Sequence, residues 1–337
     1  MINYIYQLVS PRSIMVSYNE IDTKNKVVIR PEYMSICHAD QRYYLGERDV
    51  SILSKKLPMA LIHEACGRVV MDLTNTFSVG QHVVMVPNVP GSNKPMIYEN
   101  YNSGSFFLSS GYDGFMREVV DLPVDRVIPY EGIKPYIAAT TEFMSVAVHA
   151  VNRLKAVSHC NREHIAIWGS GSLAYAVSCI LKALMPESKI TVIGRERNKL
   201  EMFSFVERTY LTENIPDSFT CDHAFECAGG EGSYFAIEDI IRYINPQGTA
   251  ILMGVSENKV AINTRRVLEK GIMMLGCSRS GYEDFKKAIE IMKDKKVQNL
   301  LELIIYEDEP VFTIEDITRV FATDANTPFK TVFAWKM

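Results

Sequence analysis

HIAIWGSGSLA (164–174) is the stretch on which the fold turns. His164 to Trp168 has the length and apolar texture of a strand, Gly169-Ser170-Gly171 breaks it, and SLAYAVSCILKALM (172–185) follows with helical apolar periodicity. A glycine pattern gains meaning from a strand before it and a helix after it. The first glycine permits a tight turn, the second lets backbone approach a pyrophosphate, and Ala174 stands where a third glycine would allow helix and strand to pack closely. Backbone N–H groups at the helix start would then bind the anion. An ordinary strand-to-helix turn is the competing reading.

Downstream the rhythm repeats. KITVIG (189–194), DHAFECAG (222–229) and GTAILMGV (248–255) are apolar runs separated by helical segments, too continuous for one-sided sheets. Such alternation predicts an α/β fold with a parallel, doubly wound sheet. The second strand ends in Gly194-Arg195-Glu196-Arg197. An acidic residue is expected there to hold the adenine ribose, a role open to Glu196, while Arg195 and Arg197 offer planar donor forks for a 2′-phosphate. The cluster therefore tilts the cofactor toward NADP(H), with a solvated charged turn as the alternative.

Upstream of about Thr140 the texture is short β-branched runs broken by turn formers: KVVIRPEYM (26–34), GRVVMDL (67–73), QHVVMVPNVPG (81–91) and GFMREVVDLPVDRVIPY (114–130). This predicts a second, mainly β domain of short antiparallel strands. The ending FKTVFAWKM (329–337) is strand-like and could return to complete it. EDFKKAIEIMKDKK (283–296) reads as a last helical pattern, and Asn88 to Gly111, rich in Pro, Gly, Asn and Ser, as a long loop.

Composition narrows the function classes. The 36 basic and 40 acidic residues give a net charge of −4, too even for a nucleic-acid footprint or an anionic membrane surface. No apolar run has the length of a bilayer span, and the start MINYIYQLVSPRS lacks a leader pattern, so a soluble, unprocessed, cytoplasmic protein is expected. Seven scattered cysteines, none in a Cys-x-x-Cys pair, argue against a disulfide framework. Cys37, Asp40, His63, Glu64 and Glu142 offer one thiolate, one imidazole and carboxylates, a donor set suited to a mixed catalytic zinc site, although each alone is more often structural. His82 and His149 lie on apolar runs and are read as core histidines without a role.

In order along the chain, SICHADQRYYLG (35–46), LIHEACGRVV (61–70), TTEFMSVAVHA (140–150), IWGSGSLA (167–174), FECAGG (225–230) and LGCSRSGYEDFKKAIEIM (275–292) resemble the medium-chain dehydrogenase/reductase superfamily. The resemblance implies a GroES-like catalytic domain (1–138 and 308–337) around a Rossmann domain (139–307). It implies catalytic zinc on Cys37 and His63, with Glu64 as a supporting or alternative ligand and Asp40 behind them. Glu142, followed by Ser145-Val146 and His149-Ala150, matches the polyol and sugar dehydrogenase branch, which makes it the expected third zinc ligand beside Cys37 and His63. Ala39 stands where relatives carry a hydroxyl that starts a proton relay, which leaves water, Glu64, Tyr43 or Tyr44 for that task. Residues 87–112 hold no cysteine, so one catalytic zinc and no structural zinc is expected.

Within the superfamily, YMSICHADQRYYLGERD (33–49), LSKKLPMALIHE (53–64), SSGYDGFM (109–116) and NTRRVLEKG (263–271) are similar to the ribulose-5-phosphate reductases, or ribitol-5-phosphate dehydrogenases. That resemblance implies NADPH-driven reduction of a small sugar-phosphate, a homodimer, a link to a ribitol-5-phosphate cytidylyltransferase, and a place in CDP-ribitol and cell-surface polymer synthesis. Arg42, Tyr43 and Arg279 are the candidate substrate residues, arginine being the geometric match to phosphate. An NAD-dependent, sorbitol-like enzyme acting on an unphosphorylated polyol and a non-catalytic dinucleotide-binding protein are the alternatives.

Overall fold

The structure, a computed structural model, describes residues 2–91 and 96–337. It divides into two compact units, Met1–Ser145 with Arg279–Met337, and Val146–Ser278.

The first unit is built on a seven-stranded sheet. Its path runs Val127–Pro129, His82–Met85, Glu64–Asp72, Lys26–Ser35, Lys330–Trp335, Ile305–Val311, with Val120–Pro123 also paired to Lys26–Ser35. The C-terminal strand does return: Val332 pairs with Ser35 and Ala334 with Tyr33, antiparallel. One ladder departs from the antiparallel expectation, since Ile305–Val311 runs parallel to Lys330–Trp335. A hairpin of Ile2–Ser10 and Ser13–Glu20, turning at Arg12 with φ +62°, joins Met59–Ala60 in a second small sheet. The core beneath includes Leu8, Ile29, Met34, Phe115, Phe321 and Phe333, all essentially inaccessible. In the expected loop, Asn88–Val89 pairs with Phe106–Phe107 and Glu99–Tyr101 forms a 3-10 turn; its residues 92–95 lie outside the described residues.

The second unit is a six-stranded, wholly parallel sheet in the order Arg208–Leu211, Lys189–Gly194, His164–Trp168, Cys221–Glu226, Ile244–Leu252, Met273–Gly276. Numbered along the chain this is 3-2-1-4-5-6, and the direction of winding reverses beside His164–Trp168, where ligands of such sheets bind at the carboxyl ends. Ile165, Ala166 and Ile167 are fully buried, the signature of a strand covered on both faces.

The segment 279–307, expected with the dinucleotide fold, clusters instead with the first unit. Its helices Tyr282–Met292 and Lys295–Glu302 are tied there by particular bonds. Gln298 Nε2 donates to Gly132 O at 2.9 Å, Tyr136 Oη to Glu302 at 2.8 Å, and Tyr282 N to Glu99 Oε1 at 2.7 Å. An amphipathic helix shows in sequence that it packs, without showing against what.

Candidate active site

Strand pairing assembles the first half of the site. Ser35 at the end of Lys26–Ser35 pairs with Glu64 at the start of Glu64–Asp72, which brings Cys37, just past the first strand, near His63, just before the second. The thiol of Cys37, a ring nitrogen of His63 and a carboxylate oxygen of Glu64 all lie within 4.8 Å of one another. Among the described residues no other three Cys, His, Asp or Glu side chains converge in this way.

Asp40 sits one turn into the helix His38–Leu45 and is fully buried. Its carboxylate accepts from Ile62 N at 3.0 Å and from the Ser109 hydroxyl, and stands 3.3 Å from His63 Nδ1. Burial alone would raise its pKa, but His63, Ser109 and the Ile62 amide outweigh that and hold it low. Burial pushes His63 down, yet Asp40 and the Cys37 sulfur bring it well above the ordinary imidazole value. An imidazole held at one nitrogen by a carboxylate, the other left to a partner, is the arrangement that orients metal-bound histidines.

Glu64 is 1% and Lys330 5% exposed as side chains, and Lys330 Nζ lies 2.8 Å from the Glu64 carboxylate. The same ammonium donates to Ile36 O at 2.8 Å. Burial would lower the Lys330 pKa, but Glu64 and Cys37 raise it above its usual value. Glu142, in the first turn of the helix Thr141–Val157, is buried beside this group without joining the three converging donors. Burial first, with Glu64 and Asp40 adding to it against His63 and Lys330, pushes its carboxyl up to about 7.

Arg279 takes a left-handed φ of +59° and lays its guanidinium 5.1 Å from the centre of the Phe107 ring, which meets His63 edge-on at 5.2 Å. Tyr43 is buried and accepts from Lys56 Nζ at 2.9 Å. Its neighbour Tyr44 stacks on Phe321 at 4.3 Å in the core. Arg42 is half-buried on the same helix.

In the second unit a cleft of about 640 Å³ opens at the carboxyl end of His164–Trp168, lined by Gly169, Ser170, Gly171, Arg195, Glu196 and Lys199 among others. Gly169 has φ +123°, and a side chain there would meet Cys227 backbone at 2.7 Å, so the turn requires glycine. A Cβ on Gly171 would point into open space, leaving backbone approachable from the cleft. Ala174 is fully buried in the helix Ser172–Leu184. Glu196 is engaged by Lys199 at 2.8 Å, and Arg197 is exposed and not among the lining residues.

Residues 23–132 match the alcohol dehydrogenase GroES-like domain. A ribulose-5-phosphate reductase of Streptococcus pneumoniae is 57% identical over 340 residues, spanning 100% of this chain and 98% of that protein. The chain belongs to the ribulose-5-phosphate reductase family. Ribulose-5-phosphate reductase 1 of Staphylococcus aureus is 46% identical across 100% of both chains. The crystal structure of S. aureus TarJ in complex with NADPH superposes with a TM-score of 0.88 at 43% identity, again over 100% of both. The fold is thus the zinc-type alcohol dehydrogenase α/β fold, GroES-like and Rossmann-like.

Of the residues singled out in this reductase sequence, Cys37, His63 and Glu64 come together, with Asp40, Glu142, Arg279 and Tyr43 grouped around them. His82 lies 3.5 Å from Glu32, and His149 is buried in the other unit. Sequence reasoning missed Lys330, Ser109, Lys56 and Lys199. A signal existed for the first, a lone lysine opening the apolar run FKTVFAW.

Proposed function

We propose that this reductase transfers hydride from NADPH to the ketone of D-ribulose 5-phosphate, giving D-ribitol 5-phosphate, and that one zinc ion serves the reaction. The observation that carries the reading is the convergence of a thiolate, an imidazole and a carboxylate within 4.8 Å, with Asp40 set behind the imidazole, in a chain 57% identical to a ribulose-5-phosphate reductase. That donor set fits zinc. Held by Cys37, His63 and Glu64, with Glu142 in reserve, zinc would supply a Lewis acid to the substrate oxygen. NADPH would lie along Gly169 to Gly171, its 2′-phosphate against Arg195; the pairing of Glu196 with Lys199 weakens the acidic side of that choice.

The protein's own groups do the remainder. Asp40 fixes the His63 ring, and Lys330 offsets the Glu64 charge that burial would otherwise make costly. Glu142, buried beside the three donors, can exchange a proton close to the ketone oxygen. Arg42 and Arg279 add positive charge that draws the anionic substrate in at longer range.

We infer further a cytoplasmic homodimer that pairs through the edge strand Met273–Gly276, where Met273 is exposed, and a product used by a ribitol-5-phosphate cytidylyltransferase on the way to CDP-ribitol and cell-surface polymers. Among the described residues no helix is long and apolar enough to cross a membrane.

Initial rates on purified, zinc-loaded protein test the reading. D-Ribulose 5-phosphate with NADPH should exceed both D-ribulose with NADPH and D-ribulose 5-phosphate with NADH by about tenfold or more in kcat/KM. A preference for unphosphorylated polyol with NAD would replace it with the sorbitol-like alternative.

A further inference from the structure

We propose that Lys56, Arg48 and Ser110, gathered around the Tyr43 phenol, form the subsite that receives the phosphate of the substrate. The reading of the substrate as a sugar phosphate is taken from the proposed function; the assignment of these residues is independent of it. Lys56 ends the helix Val50–Lys56, and its stem lies across Gly111, where a Cβ would stand 3.4 Å from Lys56 Cγ. Its ammonium is held by two hydroxyls, Tyr43 Oη and Ser110 Oγ, each at 2.9 Å, and among the described residues it makes no ion pair. Arg48 lays its guanidinium 4.6 Å from the centre of the same ring. Arg279 interacts electrostatically with Glu142 first and with Tyr43 second.

The half-buried Lys56 ammonium gives two of its three N–H groups to hydroxyls and keeps one for an anion, and Arg48 brings a second cation to the same ring. A phosphate monoester fits that set. Lysine supplies a point charge, arginine a planar fork, and the two hydroxyls hydrogen bonds to a tetrahedral oxyanion.

The geometry also joins this cluster to the reacting end. Ser110 follows Ser109, whose hydroxyl donates to Asp40, and Arg279 and Phe107 bridge from Tyr43 to His63. The substrate would then lie with its ketone toward His63 and its phosphate toward Lys56. Chemical discrimination would then arise at Lys56, the residue that an unphosphorylated ketose leaves unused.

The test uses the whole zinc-loaded protein with Lys56→Met, Lys56→Arg and Arg48→Met. For Lys56→Met, kcat/KM on D-ribulose 5-phosphate should fall about 30-fold or more, a loss at least ten times that on D-ribulose. Lys56→Arg should keep most of the preference, and Arg48→Met should shift it in the same direction as Lys56→Met. Inorganic phosphate should inhibit the wild type competitively against the ketose and lose about tenfold in affinity with Lys56→Met. Equal losses on both ketoses, or phosphate affinity unchanged in both the Lys56→Met and Arg48→Met proteins, would overturn the subsite. A wild type that reduces neither ketose would refute the substrate reading instead, and protection by inorganic phosphate against thermal unfolding would still decide the subsite.

Discussion

Lys330→Met is the most revealing single change. The side chain is 5% exposed, and its ammonium lies 2.8 Å from a Glu64 carboxylate that is 1% exposed, while also donating to the Ile36 carbonyl. Methionine fills most of the same volume, so packing is largely kept and electrostatics is what changes. Removing one partner of a buried pair leaves a desolvated charge and costs about 3–5 kcal/mol. For a unit of this size, each kcal/mol moves Tm by about 2–4 °C, so the metal-free variant should melt roughly 6–20 °C below the wild type. Urea unfolding followed by Trp335, five residues along the same strand, reports on this unit if Trp168 is first replaced by Phe. Adding Glu64→Gln to Lys330→Met should restore at least half of the loss, because the stranded charge is gone. A single variant within about 1 kcal/mol of wild type, or a double variant whose losses simply add, would refute the idea that Lys330 holds the Glu64 charge in place.

Other outcomes follow from the second unit. Gly171→Ala should leave Tm within about 1 °C yet weaken NADPH binding about tenfold by fluorescence titration, since its Cβ meets nothing in the protein and points where the cofactor must approach. Arg195→Ala should raise KM for NADPH about tenfold to a hundredfold while moving that for NADH less than about twofold; equal shifts would take the 2′-phosphate away from this residue. His223 is fully buried, accepts from Thr249 N at 3.1 Å through Nδ1, and has a pKa lowered to about 4 by burial and by His159. The unfolded chain therefore binds the extra proton first, and stability of this unit should fall as pH drops from about 6.5 toward 4. His223→Gln should flatten that dependence in Trp168-monitored unfolding.

Local rules made some of this legible in the chain. A glycine turn between an apolar strand and an apolar-periodic helix needs φ values and close contacts that few other residues allow, so Gly169 announced its place. Cys37, His63 and Glu64 were readable as donors, and the antiparallel pairing of Ser35 with Glu64 is what turns a list of donors into a cluster. Lys330 was not legible in the same way. Every residue of its strand is buried, so no alternation marks which face it serves, and its partner lies 266 positions earlier. Lys56 and Arg48 were hidden for the opposite reason: they sit in a charged, turn-rich stretch, ERDVSILSKK, that reads as solvated surface until the Tyr43 ring is seen between them. The helices after Arg279 misled in placement only, because their apolar stripe would suit either unit.

A zinc ion held by Cys37, His63 and Glu64 is the centre of the proposed reaction. Its most direct test pairs metal analysis with the rate of NADPH oxidation by D-ribulose 5-phosphate in native, chelator-stripped and zinc-restored protein. One zinc per chain is expected, with the rate lost on stripping, regained on restoration, and abolished together with bound zinc by Cys37→Ser. A stripped protein that analyses free of metal and still turns over at the native rate would contradict it.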